Sequence, residues 1–148
     1  MPNLRTYHDG KAIYSVDMMI AYSNTHRHRI DVIPVAQFQK ELQRPVWGDW
    51  SPQDVLDKPT LKRYKEDLQR IKDADLSYPI LMTHKGAILD GFHRVAKAVL
   101  EGKKTVRAYV FGEQLMKKFV LDNEMDFVKV HQHTPVYEVL ELYAKRFC

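Results

Sequence analysis

The stretch Leu89-Asp90-Gly91-Phe92-His93-Arg94 gathers the residue types best suited to chemistry in this chain. A strand end, a glycine turn and a helix start are predicted there in succession. The unpaired N–H groups that open a helix point outward, and the helix dipole favours an anion at that end. Gly91 lets the backbone come close to such an anion. His93 and Arg94 add donors, the guanidinium offering a planar fork matched to phosphate oxygens. Asp90, just before the turn, is placed to hold Mg²⁺ or to take a proton from an attacking hydroxyl. The candidate set is therefore Asp90 and His93 as catalytic groups, Gly91, Phe92, His93 and Arg94 as phosphate-binding residues, and Asp90 as a Mg²⁺ ligand. The same spacing also fits a plain strand-to-helix turn in which Asp90 caps the helix and Arg94 is solvated.

Two further groups stand out. His26-Arg27-His28-Arg29 follows Asn24 and Thr25. In an extended chain His26 and His28 share one face and Arg27 and Arg29 the other, a clamp for a phosphate or nucleic-acid backbone or else an exposed loop. Neither His26 with His28 nor His131 with His133 has a Cys or acidic ligand at a recognised metal spacing. Trp47 and Trp50 flank Gly48-Asp49; such indoles either stack on a base, at about 1–3 kcal/mol each, or pack in the core, the commoner role. Lys97, Lys103, Lys104 and Arg107 spread positive charge around the motif helix.

These residues need elements to hold them. The first ten residues read as a loose lead-in. Lys11 to Val16 is strand-like, and Asp17 to Tyr22 either continues it or turns helical. Ser23 to Arg29 is expected to be a loop before a strand at Ile30 to Ile33. Pro34 opens a helix with Val35, Phe38 and Leu42 on one face. Ser51-Pro52-Gln53-Asp54 is a helix start, with Ser51 as cap. A stronger helix is expected from Thr60, with Leu61, Tyr64, Leu68 and Ile71 facing inward. Tyr78 to Met82, the turn His84-Lys85-Gly86 and Ala87 to Leu89 make a hairpin. The motif helix, Arg94 to Glu101, ends at Gly102, and Thr105 to Phe111 alternates as a final strand. Beyond Gly112, Leu115, Met116, Phe119 and Val120 are helical, and Thr134-Pro135 opens a last helix through Val136, Val139, Leu140, Tyr143 and Phe147.

The chain has 148 residues, 45% hydrophobic and 28% charged, with a formal charge of +4. That length suits one domain burying roughly 70% of its unfolded surface, and the composition excludes disordered, collagenous and disulfide-scaffold classes. The charge favours anionic partners without selecting among them. No apolar run approaches a bilayer span and no signal-peptide core begins the chain, so no membrane partner is expected. The single cysteine, Cys148, has no internal disulfide partner. A cytoplasmic location is the matching expectation.

Tyr78-Pro79-Ile80, the His84-Lys85-Gly86 turn, Ile88 through Arg94, Ala96, Ala98 and Val106-Arg107-Ala108-Tyr109-Val110 together resemble the ParB/sulfiredoxin superfamily, with Ile33-Pro34-Val35 similar to its early strand. The likeness spans residues 11 to 111 and is concentrated from 78 onward. It implies an α+β fold: one ParB/sulfiredoxin-like domain over 11–111, with a small mixed sheet and packed helices. Residues 1–10 would be a flexible lead-in, and 112–148 a helical extension packed on the domain or pairing two copies. Members include partitioning proteins that bind CTP and DNA, ATP-dependent sulfiredoxins, ADP-dependent free-serine kinases and ParB-like nucleases, sharing a nucleotide phosphate cradled by the glycine turn.

Departures narrow the choice. Sulfiredoxins carry a catalytic cysteine where this chain has Phe92. Partitioning proteins show Gly-Glu-Arg-Arg and a following helix-turn-helix domain, for which the stretch after Phe111 is short. The kinases' Asp-Gly-His-His-Arg is more similar, Asp90, Gly91, His93 and Arg94 corresponding and Phe92 not; the Asp would be the base, with Glu41 or Asp31 as the additional acid. The resemblance thus implies binding of ATP or another nucleotide with Mg²⁺, and phosphotransfer or nucleotide hydrolysis. The alternative is a DNA- or RNA-binding or nuclease-like module without nucleotide turnover.

Overall fold

A computed structural model describes residues 5–121, and the expected helix from Thr134, Cys148 and the His131/His133 pair lie outside them. The fold is α+β. The chain divides into two compact units, one drawn from residues up to His28 together with those from Phe111, the other from Arg29 to Val110. Residues 11–28, expected to belong with the motif, thus group with the C-terminal side.

In the first unit, β1 (Thr6–His8) pairs antiparallel with β2 (Ile13–Ser15), so part of the expected lead-in is a strand. The reason lies in the connecting turn, where Asp9 Oδ1 accepts from the amides of Lys11 and Ala12 at 2.8 Å each. Those bonds to the charged form hold the Asp9 carboxyl down at about 2. Helix α1 (Val16–Thr25) follows, capped by the Ser15 hydroxyl, which accepts from the Met18 amide. It settles the open choice at 17–22 and runs into the expected loop. Thr25, its last residue, donates its hydroxyl to the carbonyls of Ala21 and Tyr22, and the helix stops at His26, which takes extended backbone. Phe111 and Phe119, both fully buried, meet edge to face below Tyr22. A short helix α6 (Glu113–Met116) precedes Phe119.

The second unit carries the motif. Its sheet has the order β3 (Ile30–Pro34), β6 (Thr105–Phe111), β4 (Ile80–Thr83), β5 (Ile88–Asp90). β3 pairs antiparallel with β6, Ile33 opposite Val106 and Val32 opposite Arg107, and β4 with β5 across the His84-Lys85-Gly86 turn. Pro34 ends β3 rather than opening a long helix. A 3-10 turn, Val35–Phe38, and the short α2 (Gln39–Leu42) nevertheless keep Val35, Phe38 and Leu42 buried on one side as the spacing requires. They share a core with Ile80, Met82, Ile88, Val106 and Ala108 from the sheet and with Val95 and Ala98 of the motif helix, α5 (Phe92–Leu100).

A second cluster joins Val55 of α3 (Pro52–Asp57) and Ile71 of α4 (Lys65–Asp73) to Tyr64 and Ala96. Ser51 caps α3 as expected, in a reciprocal box with Asp54. α4 starts later than the apolar spacing suggests because Lys62–Tyr64 is a 3-10 turn, which leaves Leu61 outside the stripe. Among the described residues no helix is long and apolar enough to cross a membrane.

Candidate functional site

Burial of Val95 and Ala98 anchors α5, and β5 delivers the chain to its first turn at Gly91. Gly91, not Asp90, is the N-cap residue, with φ 116° and ψ 23°. A Cβ there would lie 2.7 Å from Ile80 Cγ2 and 2.9 Å from Ile80 Cβ. Conformation and space both demand glycine. Having no side chain, Gly91 makes no capping hydrogen bond. Among the described residues, no side-chain acceptor takes up the amides of Phe92, His93 and Arg94, the groups an anion would meet.

Arg94 folds back toward the start of its own helix, its Nε 3.2 Å from the position a Gly91 Cβ would occupy. Nη1 donates to the carbonyls of Tyr78 (3.3 Å) and Pro79 (2.7 Å), and Nη2 to Asp90 Oδ2 (2.8 Å). Side-chain exposures of 17% for Arg94 and 23% for Asp90 make this a half-buried pair. The solvated Arg94 and the capping Asp90 of the plain-turn reading are both replaced by a clamp that ties the ends of β4 and β5 to α5. Lys97 does similar work, its ammonium donating to the carbonyls of Lys72 and Ala74 at the end of α4.

His93 goes elsewhere. Its ring stacks on Trp47, centroids 4.3 Å apart and planes within 14°. Its Nε2 lies 3.6 Å from Asp67 Oδ1, an ion-pair distance rather than a hydrogen bond, and is fully enclosed. Asp67 Oδ2 accepts instead from Trp50 Nε1 at 2.8 Å. Trp50 meets Tyr64 edge on, so both indoles have packing roles in the second cluster. Burial pushes the imidazole below its ordinary 6.5, against the opposing pull of the Asp67 carboxylate; Arg70 adds to the lowering and Asp90 opposes it.

A lowered imidazole means that the unfolded chain binds more protons than the folded one as pH falls. His93's contribution is therefore complete above its ordinary 6.5 and declines as pH drops through that value. Urea midpoints measured from about pH 7.5 down to about pH 5 should fall more steeply for the wild type than for His93→Phe, which keeps the stack on Trp47 but cannot titrate. Parallel profiles would show that His93 does not titrate as a buried base.

The other candidates lie apart from this arrangement. His26 closes α1 in extended backbone and stacks on Tyr22, ring centroids 4.0 Å apart. Arg27 and His28 are exposed, and Arg29 pairs with Asp31 at 2.7 Å. Glu41 holds the start of β5, its Oε1 accepting from the Ile88 amide at 3.0 Å, and its Oε2 pairs with Arg44. Neither candidate for the additional acid is thus presented as an isolated carboxylate.

The carboxylate available to a Mg²⁺ at this turn is that of Asp90. Asp90 offers a single carboxylate, one oxygen of which is held by Arg94, and the described residues contain no group of three or more His, Cys, Asp or Glu placed to share an ion. The partners that sequence reasoning missed are the carbonyls of Tyr78 and Pro79 and the carboxylate of Asp67. Backbone acceptors leave no trace in side-chain spacing, and Asp67, an acidic residue in the first turn of α4, carries no local signal that would link it to residues 47, 50 and 93.

No family model matches the chain, and neither the curated proteins nor the solved structures compared with it give a match.

Proposed function

We propose that the α5 N-terminus binds the phosphate groups of a nucleotide, ATP, ADP or another, and that the protein is a ParB/sulfiredoxin-like nucleotide-binding domain acting in phosphotransfer or nucleotide hydrolysis. The observation that carries this is the glycine-only N-cap at Gly91, which leaves the amides of Phe92, His93 and Arg94 without side-chain acceptors among the described residues, beside a fixed guanidinium. Such amides provide positive potential and donors that need no reorganisation when an anion arrives. Mg²⁺ enters this reading as a companion of the nucleotide phosphates, since it usually keeps its waters and few protein ligands.

A second reading has an observation of its own. The Asp90 carboxylate is tied to Arg94, and the His93 imidazole is stacked on Trp47, so the two candidate catalytic groups are both engaged in packing contacts. That favours binding without turnover, in which the same turn grips a DNA or RNA backbone.

Calorimetric titration with ATP, ADP and CTP, each with and without Mg²⁺, decides between them. Saturable binding that shifts the Phe92–Arg94 amide resonances and ignores added oligonucleotide is the expected result. Oligonucleotide binding that weakens steeply with salt, without nucleotide binding, would select the second reading.

A further inference from the structure

A cleft of about 230 Å³ opens beside the β3–β6 edge of the sheet, and neither Phe92 nor His93 lines it. Its floor is the margin of the core at Ile80 and Val106, and its walls include Val32 and Tyr78. Val32 is 64% exposed and Tyr78 65%, two of the four large hydrophobic residues left exposed among the described residues. That pairing of apolar side chains around one hollow is where an apolar ligand group would gain most from leaving water.

Among the described residues the cleft's lining charges are of one sign: Arg94, Lys103 and Arg107 line it, and no Asp or Glu does. Arg107 donates to the Ser77 carbonyl at 2.7 Å, and Arg94 to the carbonyls of Tyr78 and Pro79. Two guanidiniums therefore grip successive carbonyls of one short segment and hold Tyr78 between them. Arg107 uses one of its five N–H groups on Ser77, so donors remain for a ligand. Because the protein's own backbone fixes both groups, a ligand need not order them, which removes part of the usual entropic cost of binding.

We infer that this cleft is a binding site for a small organic anion, a carboxylate or phosphate carried on a single apolar ring. The ring would lie against Tyr78 and Val32, and the anionic group would face Arg107 and Lys103. A volume below the roughly 300–1,000 Å³ of drug-sized pockets limits the ligand to about one ring.

The test is titration of the intact protein with phenyl phosphate and with benzoate, following the Val32 methyl and Tyr78 ring resonances. Inorganic phosphate and benzyl alcohol serve as half-ligands. Saturable shifts are expected for at least one ring-bearing anion, with each half-ligand binding about tenfold more weakly, or ~1.4 kcal/mol. The stronger of the two anions tells whether the head group is a phosphate or a carboxylate.

Val32→Glu places a carboxylate opposite Arg107 without disturbing the core. It should weaken binding about tenfold while leaving the melting temperature unchanged. Phe92 and His93 amide shifts report separately on the nucleotide reading, so either can fail alone. Failure of Val32 to respond, inorganic phosphate binding as tightly as phenyl phosphate, or full binding by Val32→Glu would overturn the inference.

Discussion

Gly91→Ala should be among the most damaging single substitutions in the motif, lowering stability by about 2–5 kcal/mol. Two costs combine. A non-glycine residue at φ 116° is strained by about 1–3 kcal/mol, and the new methyl would lie 2.7 Å from Ile80 Cγ2, a buried side chain that cannot move without disturbing the core. The gain from a less flexible unfolded chain, about 0.4–1 kcal/mol, is too small to offset either. Gly102→Ala separates the two costs: Gly102 also has positive φ, 70°, but among the described residues nothing lies within 4 Å of its missing Cβ. It should lose only the conformational part, about 1 kcal/mol. Thermal unfolding of the two variants checks the ordering. Equal losses would mean that the contact with Ile80 relaxes freely and that the turn is not sterically restricted to glycine.

The prominence of Gly91 was readable because its cause is local. A glycine between a strand pattern and a helix pattern signals a turn with positive φ, and the spacing of Val95 and Ala98 placed the helix face. Ser51-Pro52-Asp54 was legible for the same reason, since a capping box is completed within four residues. What could not be read is what depends on contacts distant in sequence. His93 and Arg94 are neighbours with similar donor chemistry, yet one is stacked on Trp47 and the other clamps Tyr78 and Pro79. Adjacent helical residues point about 100° apart, so a motif read as one constellation is divided by the helix that carries it. The length of α1 escaped for a related reason: polar residues at Ser23 to Thr25 resemble a loop, but the Thr25 hydroxyl stays on the helix by returning to its carbonyls.

Arg94→Ala is expected to lower stability by about 1.5–3 kcal/mol, between the values for exposed and fully buried pairs, because Arg94 and Asp90 are half-buried. Asp90→Ala should cost less than Arg94→Ala. Without Asp90 the guanidinium keeps its two carbonyl acceptors, whereas without Arg94 three acceptors lose a charged donor. A double-mutant cycle should give a coupling of about 1 kcal/mol between them. Arg94→Lys should restore only part of the loss, since one ammonium cannot reproduce a planar fork that reaches two carbonyls and a carboxylate. The same ordering should not hold for nucleotide affinity. Removing Arg94 takes one neutralising positive charge away from the Asp90 carboxylate beside the helix start, where the added negative potential opposes a phosphate. Asp90→Ala/Arg94→Ala should therefore bind nucleotide more tightly than Arg94→Ala alone, although it is no more stable. If the double variant instead binds as weakly as Arg94→Ala, or more so, Arg94 contributes its own donors to the phosphate rather than shielding it from Asp90.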